Sequence, residues 1–190
     1  MSSKDLIITL PNPNLRKRSQ KVAAIDKKVR QVIKNMKKAT LDWEADRPHE
    51  SGIALAAIQL NQPYRIIVMR NNPDNRDDKS FHVFINPEVV KLEGEVVEDF
   101  EGCLSVKDIY GKVPRHAKAR VRATNEQGQP VRFKAEGFLA RIFQHEIDHT
   151  KGIMFIDHIK NKDSFFKLDH SGELIKLDYE KIRQTGIFRD

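Results

Sequence analysis

The sequence predicts an α+β fold, in which one compact domain builds antiparallel or mixed sheets around a central helix. Three observations predict it: β-branched runs in the first half, a period-two stretch over residues 117–137, and a change to helical spacing at Phe138. With 190 residues and 39% hydrophobic content, the chain can bury a sizeable core. We expect residues 1–190 to form one domain, with a core at about 5–160 and an atypical tail at 161–190.

The N-terminal part predicts a short strand and then a helix. Residues Leu6–Leu10 form an apolar run that favours a strand, and Asp26 is a residue type that caps helices. Apolar residues then recur at helical spacing, at Val29, Ile33, Met36 and Trp43. We therefore expect this helix to pack one face against the core.

The middle of the chain predicts a sheet. The stretch "SGIALAAIQL" is small and apolar, and the runs "YRIIVM" and "HVFINPEVV" are rich in β-branched residues. Alternation on both sides of Gln127 and Gly128 predicts a hairpin that turns at these two residues and buries one face.

The spacing of apolar residues then becomes helical. Phe138, Ile142 and Phe143 recur at helical intervals, with Gly137 before them and Gly152 where a helix end favours glycine. This helix is apolar enough to be central. After it, the segment "FFKLDHSGELIKLDYEKI" predicts another hairpin and a short helix.

Charge and composition restrict the location and partners only loosely. The formal charge is +7, from 34 Lys and Arg against 27 Asp and Glu, but the basic residues are scattered and no RNA-binding motif accompanies them. A solvated basic surface is the simpler interpretation, with the ribosome surface as a weaker candidate partner. The N-terminal apolar run is too short for a signal peptide or membrane span, so we expect a cytoplasmic protein.

The stretch "LARIFQHEIDHTKG" carries the chemistry. His145 and His149 are one helical turn apart and project from one face, with Glu146 beside the first of them. Two imidazoles so placed can bind one metal ion, although a catalytic site usually needs a third side-chain ligand. Histidines on the exposed face of an ordinary helix could have the same spacing, so the motif alone does not establish a metal site.

Three positions in the sequence are examined for a third metal ligand. An extended metalloprotease motif would need histidine at position 155, where the chain has Phe155. Glu173 is in range for a thermolysin-like site but falls in the predicted turn of the tail hairpin. Cys103, the single cysteine, lies in "DFEGCLSV". By itself such a cysteine is more often a small buried hydrophobe than a ligand.

The ordered motifs "SGIALAAIQ", "EGCLS" and "QHEIDH" resemble the three signature motifs of the peptide deformylases, and "LIITLPNPNLRKRSQKV" is similar to the N-terminal segment of that family. The resemblance implies that Cys103, His145 and His149 bind one divalent metal ion, with water as the fourth ligand. The family characteristically uses Fe²⁺, and Zn²⁺, Ni²⁺ or Co²⁺ can occupy the site.

The resemblance also implies an activity, the removal of the formyl group from the N-terminal methionine of newly synthesised polypeptides. Formylated nascent peptides would then be the partners. A bound metal would make a water acidic enough to attack the formyl carbonyl, and Glu146 would accept the proton and deliver it to the leaving amine. The side-chain amide of Gln59 and the backbone N–H of Leu104 would stabilise the negative charge on the oxygen.

Eight residues are the candidate contacts of the substrate. The backbone of Ile53 and Ala54 would pair with the peptide as an added strand. We expect Arg141 to turn its charge outward and to form the pocket rim with its stem, the alternative being a guanidinium that projects into the pocket. The full set is Gly52, Ile53, Ala54, Gly102, Arg115, Phe138, Arg141 and Ile142.

Some positions depart from the family pattern. Ala54 replaces a usual glycine, Arg141 replaces a usual apolar residue, and the tail lacks the long basic helix of many bacterial members. These departures leave two alternatives: a hydrolase of another N-acylated substrate, and a non-catalytic peptide-binding or ribosome-associated module with a structural metal. Glu146 and Gln59 argue against the module, since a structural metal needs neither.

Overall fold

A computed structural model of the chain describes residues 3–45, 47 and 49–189. Its helices and strands, in chain order, are α1 (Lys27–Ala45), β1 (Ala54–Ala56), β2 (Ile66–Arg70), β3 (Phe81–Cys103), β4 (Val106–Thr124), β5 (Pro130–Glu136), α2 (Gly137–Thr150), β6 (Phe165–Leu168), β7 (Leu174–Lys176) and α3 (Tyr179–Arg183). Short 3₁₀ turns lie at Ser3–Leu6, Pro13–Arg16, Ala57–Leu60 and Phe155–His158. The α+β class is confirmed.

The strands of the described residues form one antiparallel sheet of seven, in the order β1-β2-β3-β4-β6-β7, with β5 also paired to β4. The β3–β4 hairpin is its longest element. On the edge of β4 away from β3, β5 pairs with Lys118–Thr124, whereas β6 pairs near Tyr110 and Gly111. The hairpin therefore connects the body of the sheet to the C-terminal segment.

The two long helices cover opposite faces of β2, which is buried along its whole length. Ile66 and Val68 belong to the core cluster of α1, whereas Ile67 and Met69 belong to the cluster of α2. Period-two alternation explains this division, because successive side chains of a strand point to opposite faces. The helix α1 begins as predicted, since the Asp26 carboxylate accepts a hydrogen bond from the Val29 N–H at 2.8 Å.

The predicted strand at Leu6–Leu10 is wrong. A 3₁₀ turn occupies Ser3–Leu6, and the backbone N–H groups of Ile8 and Leu10 donate to the carbonyls of Gln59 and Ser105 at 2.8 and 2.9 Å. The segment bonds to two separate loops instead of one strand, so no ladder forms. Its apolar side chains pack between those loops. A short apolar run in the sequence looks the same whether the segment packs in this way or forms a strand.

The tail packs against an apolar cluster that it shares with the rest of the chain. The hairpin of β6 and β7 turns at Asp169–Glu173, and α3 follows. Residues of α3 and the chain after it pack with Leu15, Phe155 and Phe165 in a third apolar cluster, to which they contribute Tyr179, Ile182, Ile187 and Phe188. No helix among the described residues is long and apolar enough to cross a membrane.

Gly152 ends α2 in the left-handed region at φ +74°, and a Cβ there would overlap the backbone carbonyl of Arg16. We predict that Gly152→Ala lowers the free energy of unfolding by well over about 2 kcal/mol, because backbone strain adds to a clash that no side chain can relieve. Gly186→Ala is the matched control, since Gly186 has φ +70° but open space around it. Its cost should be near 1 kcal/mol. Equal costs in urea denaturation would contradict the clash.

Candidate metal centre and its cleft

The β3–β4 turn places Cys103 beside the helix α2. Cys103 ends β3 and pairs with Val106, so only Leu104 and Ser105 connect the strands. Gly102 must lack a side chain, because a Cβ there would overlap the ring of Tyr110. The turn thus presents the thiol close to the helix while its neighbours pack against β4.

His145 and His149 complete a cluster with this thiol. Nε2 of His149 lies 3.3 Å from Cys103 Sγ and 3.2 Å from Nε2 of His145. All three ligand atoms lie within 4.8 Å of one another. Metal–nitrogen bonds of about 2.0 Å and metal–sulfur bonds of about 2.3 Å in a tetrahedron separate their ligand atoms by roughly 3.3–3.5 Å. The donor set and the two short separations therefore fit one divalent ion.

Glu101 orients the first histidine. Its Oε2 lies 2.9 Å from Nδ1 of His145, an arrangement in which Nδ1–H donates to the carboxylate and Nε2 keeps its lone pair for a metal. Burial opposes ionisation of Glu101, but the hydrogen bonds that its carboxylate accepts from His145 and Arg115 hold its pKa well below the usual range. Burial lowers the pKa of His149, which favours the neutral imidazole that binds metals.

Two cations pair with the same buried carboxylate. Arg115 donates through Nε and Nη2 to Glu101 at 3.0 and 3.1 Å, and Arg141 donates through Nη1 at 2.9 Å. With His145, the Glu101 carboxylate thus connects α2, β3 and β4. Glu101 was not identified from the sequence as a site residue. The signal was its position two residues before Cys103 on one strand, which places both side chains on the same face.

Arg141 corrects a prediction. Its charge is not turned outward: the side chain is 7% exposed, and the guanidinium donates to the carbonyls of Val113 at 2.7 Å and Val97 at 2.8 Å as well as to Glu101. A buried anion and backbone acceptors stabilise a buried cation that would otherwise be costly. Arg141 still lines the cleft.

Arg115 lies outside the cleft lining, contrary to its predicted contact with substrate. Its second partner is Asp148 at 2.6 Å, whose carboxylate also lies 2.8 Å from Nε2 of His158. Burial alone would raise the pKa of Asp148, but His158 and Arg115 lower it to about 2. Arg115 therefore links the two carboxylates behind the histidines. Gln144 bonds to the backbone of His116.

Glu146 faces the cleft next to the ligands. It is 5% exposed, its Oε2 has no hydrogen-bond partner among the described residues, and burial raises its pKa to about 7. A carboxylate with an uncommitted oxygen at this place can exchange a proton with a bound water or substrate.

Gln59 lies on the other side of the thiol, in the 3₁₀ turn after β1. Its Oε1 accepts from the Ala56 N–H at 2.8 Å, which turns Nε2 towards Ser105 Oγ at 3.1 Å and Cys103 Sγ at 3.5 Å. The amide is 1% exposed, so its orientation is fixed. Leu104, in the turn, also lines the cleft.

The cleft beside these residues is about 660 Å³ in volume. Six of the eight predicted substrate contacts line it: Ile53, Ala54, Gly102, Phe138, Arg141 and Ile142. Gly52 does not, because its N–H donates to the buried Glu44 at 2.9 Å and a Cβ would overlap Thr40. The methyl group of Ala54 packs within the core cluster of α2.

The sequence model of the polypeptide deformylase family matches residues 4–165. This chain belongs to that family. It is 37% identical to the peptide deformylase of Aquifex aeolicus over 90% of this chain and 96% of that protein, and 40% identical to that of Brucella suis over 84% and 86%.

Solved deformylase structures agree with the fold. The peptide deformylase of Synechococcus elongatus in complex with actinonin has a TM-score of 0.74 and 32% identity, covering 82% of this chain and 80% of that one. The Plasmodium falciparum peptide deformylase also has a TM-score of 0.74, with 30% identity and coverage of 94% and 91%.

We predict that Glu101→Gln lowers the free energy of unfolding by about 3 kcal/mol, because two buried guanidinium groups lose their shared anion. Metal affinity should fall about tenfold to a hundredfold, since His145 loses the acceptor that orients it. Urea denaturation and metal titration measure both effects. Glu93→Gln removes an ion pair with Arg120 on the surface and is the control, expected to change neither. Wild-type metal affinity in Glu101→Gln would refute the orienting role.

Proposed function

We propose that the protein removes the formyl group from the N-terminal methionine of newly made polypeptides and releases formate. The observation that carries the proposal is the cluster of Cys103, His145 and His149 beside Glu146, whose free carboxylate oxygen faces a cleft, in a chain of the deformylase family. A structural metal site would need neither an unpartnered buried carboxylate nor a cleft of peptide-binding size.

The site residues have distinct proposed roles. The three ligands hold a divalent ion, which when bound supplies a Lewis acid for the formyl carbonyl and makes water more acidic. Glu146 takes the proton of the attacking water and gives it to the departing amine nitrogen. Nε2 of Gln59, held by its own hydrogen bonds, and the N–H of Leu104 donate to the oxygen on which negative charge grows.

The edge of the sheet supports the proposed binding of the peptide backbone. Strand β1 pairs only with β2 among the described strands, and Ile53 and Ala54 at its start line the cleft. An extended peptide can add to such an edge without its side chains being read. Phe138 and Ile142, on the first turns of α2, offer an apolar wall for the methionine side chain.

The alternative of another N-acylated substrate rested on Ala54 and Arg141. Both have partners inside the fold, the methyl group in the core and the guanidinium on Glu101 and strand carbonyls. Neither therefore offers a specific reason for a different acyl group. We place the reaction in the cytoplasm, where nascent chains emerge, in one domain spanning residues 1–190, and leave the ribosome surface as a candidate partner.

Release of the free α-amino group of methionine, with formate measured beside it, decides the proposal. Purified protein loaded anaerobically with Fe²⁺ is given formyl-Met-Ala-Ser, acetyl-Met-Ala-Ser and a formyl peptide that begins with another residue. We expect the first peptide to give free amine and formate rapidly, and the other two to be cleaved much more slowly. An enzyme that prefers the acetyl peptide, or metal-loaded protein that cleaves none, would refute the proposal.

We predict opposite behaviour for two neighbouring substitutions. Glu146→Gln should keep the metal content of wild type and lower kcat by at least about a hundredfold, since it removes the proton acceptor but no ligand. Cys103→Ser should lose metal at low free concentrations, because a hydroxyl is a far poorer ligand than a thiolate. Metal content by elemental analysis and kcat by formate release measure the pair. Near-wild-type turnover of Glu146→Gln would exclude it as the base.

The proposed native ion is Fe²⁺, which suits a set of one thiolate and two imidazoles. We predict that the iron form loses activity in air faster than the nickel or zinc form, because Fe²⁺ and a coordinated thiolate both oxidise whereas Zn²⁺ does not change its redox state. The half-lives of activity in air, measured after anaerobic loading, test this. Equal half-lives would count against iron.

A further inference from the structure

The positive charge of the chain is concentrated in one segment. Residues 17–41 contain nine Lys and Arg and a single acidic residue, Asp26. That excess is larger than the +7 of the whole chain, so the other residues together carry a slight negative charge. Most of the segment belongs to α1, which has no acidic residue before Asp42.

Five of these cations form one stripe along α1. Residues of an α-helix at intervals of three, four and seven share a face. The stripe lies opposite the apolar face of α1 that packs in the core. We call the basic stripe the set Lys27, Arg30, Lys34, Lys37 and Lys38.

Three members of the basic stripe have no partner for their charge. Lys37 and Lys38 each pair with one carboxylate, at 2.9 and 2.6 Å. The charged groups of Lys27, Arg30 and Lys34 make no ion pair or hydrogen bond with any residue that the structure describes. These three side chains are exposed, so their positive charges face solvent.

The basic stripe does not stabilise the helix that carries it. Arg30, Lys34 and Lys38 follow one another at intervals of four residues, where like charges repel. The N-terminus of a helix favours anions, yet the first turn of α1 holds Lys27, Lys28 and Arg30 and no acidic residue. Bound negative charge would relieve both unfavourable terms, which points to an anionic partner.

Two further cations lie on the same side of the sheet. Ile85 packs in the cluster of α1 and pairs with Thr124, so Thr124 and Arg122, two residues earlier on β4, face the α1 side. Arg132 pairs with Arg122, and Lys134 follows on the same face of β5. Neither Arg132 nor Lys134 has an ion-pair partner among the described residues. Strand β5 therefore adds positive charge to the side of the sheet that α1 covers.

A polyphosphate fits this surface better than a membrane does. Neighbouring cations of the basic stripe are about 5–6 Å apart, so each can meet a separate phosphate, and such contacts do not depend on sequence. A helix that inserts into a membrane needs a free apolar face. The apolar face of α1 is buried in the core, and no large apolar side chain of residues 17–41 is exposed.

Docking on this surface leaves the cleft open. None of residues 17–41 lines the cleft, whereas Trp43, near the end of α1, does. With a rise of about 1.5 Å per residue, Trp43 lies roughly 13 Å along the helix from Lys34. A nucleic acid on the basic stripe would thus lie near the cleft without filling it.

We propose that the basic stripe, together with Arg132 and Lys134, binds the phosphate backbone of RNA without reading its bases. The choice of RNA among polyphosphates rests on the proposed function, because RNA is abundant where nascent polypeptides are made. The binding surface itself is separate from the metal centre and does not depend on the reaction.

The test uses the full-length, metal-loaded protein and a fluorescent RNA duplex of about 16 base pairs, with anisotropy measured between about 50 and 200 mM KCl. The stripe variant combines Lys27→Gln, Arg30→Gln and Lys34→Gln. The control variant combines Lys160→Gln, Lys167→Gln and Lys181→Gln, three exposed lysines of the tail, and so changes the net charge equally. Both should cleave formyl-Met-Ala-Ser at the wild-type rate, since none of the six residues lines the cleft.

For wild type we expect the logarithm of the binding constant to fall with the logarithm of the KCl concentration at a slope of roughly −3 to −5, because each neutralised phosphate contributes nearly one unit. The stripe variant should bind RNA at least about tenfold more weakly at about 100 mM KCl and lose about two to three units of slope. The control variant should stay within about threefold of wild type. Without RNA, the stripe variant should melt no lower than wild type, because it loses repulsion and no contact.

Several results would overturn the surface. Wild type that does not bind RNA at the lowest salt concentration would refute it, and an equal loss of binding in the control variant would show attraction by net charge alone. Tighter binding to phosphatidylglycerol vesicles, or to a DNA duplex of the same length, would refute RNA as the partner. Binding is measured without a formyl peptide, so its failure is distinguishable from a failure of the proposed function.

Discussion

The buried carboxylate of Glu101 is the interaction on which the geometry of the site depends. It accepts from His145 on α2, from Arg115 on β4 and from Arg141 on α2, all at 2.9–3.1 Å. Such a cluster contributes little net stability, because desolvation offsets the attraction of the charges. Its value is geometric: the carboxylate on β3 holds the His145 imidazole and two guanidinium groups at once, so the imidazole and the strand that carries Cys103 keep one relative position.

The apolar core sets where that carboxylate can lie. Strand β2 gives alternate side chains to α1 and α2, so α2 is pressed against one face of the sheet. Its histidines then face the end of β3, and the tight β3–β4 turn brings the thiol to within 3.3 Å of His149. The outer part of the cleft has a different origin, since the tail packs on the third apolar cluster and contributes Leu168 and Leu174 to the cleft lining.

Local pattern predicted the elements that carry strong periodicity or turn chemistry. The helix of the two histidines, the Asp26 cap and the hairpin at Asn125–Gln129 lie where spacing and residue type place them. Leu6–Leu10 was wrong because its backbone bonds to two distant loops. The prediction for Arg141 was wrong for a different reason: an arginine among apolar residues turns outward unless a buried anion is near, and that anion, Glu101, lies on β3, far away in the sequence.

The sequence by itself determined the fold class and the pair of histidines on one helix face, because these depend on residue type and short spacing, whereas Cys103 as the third ligand was implied by the resemblance of the ordered motifs to the peptide deformylases. The tertiary structure decided which groups meet. His145 is 44 residues from Glu101, Gln59 is 44 residues from Cys103, and Tyr110 is 60 residues from Glu50. Contacts over such separations arise from sheet register and helix packing, which the spacing of neighbouring residues does not encode.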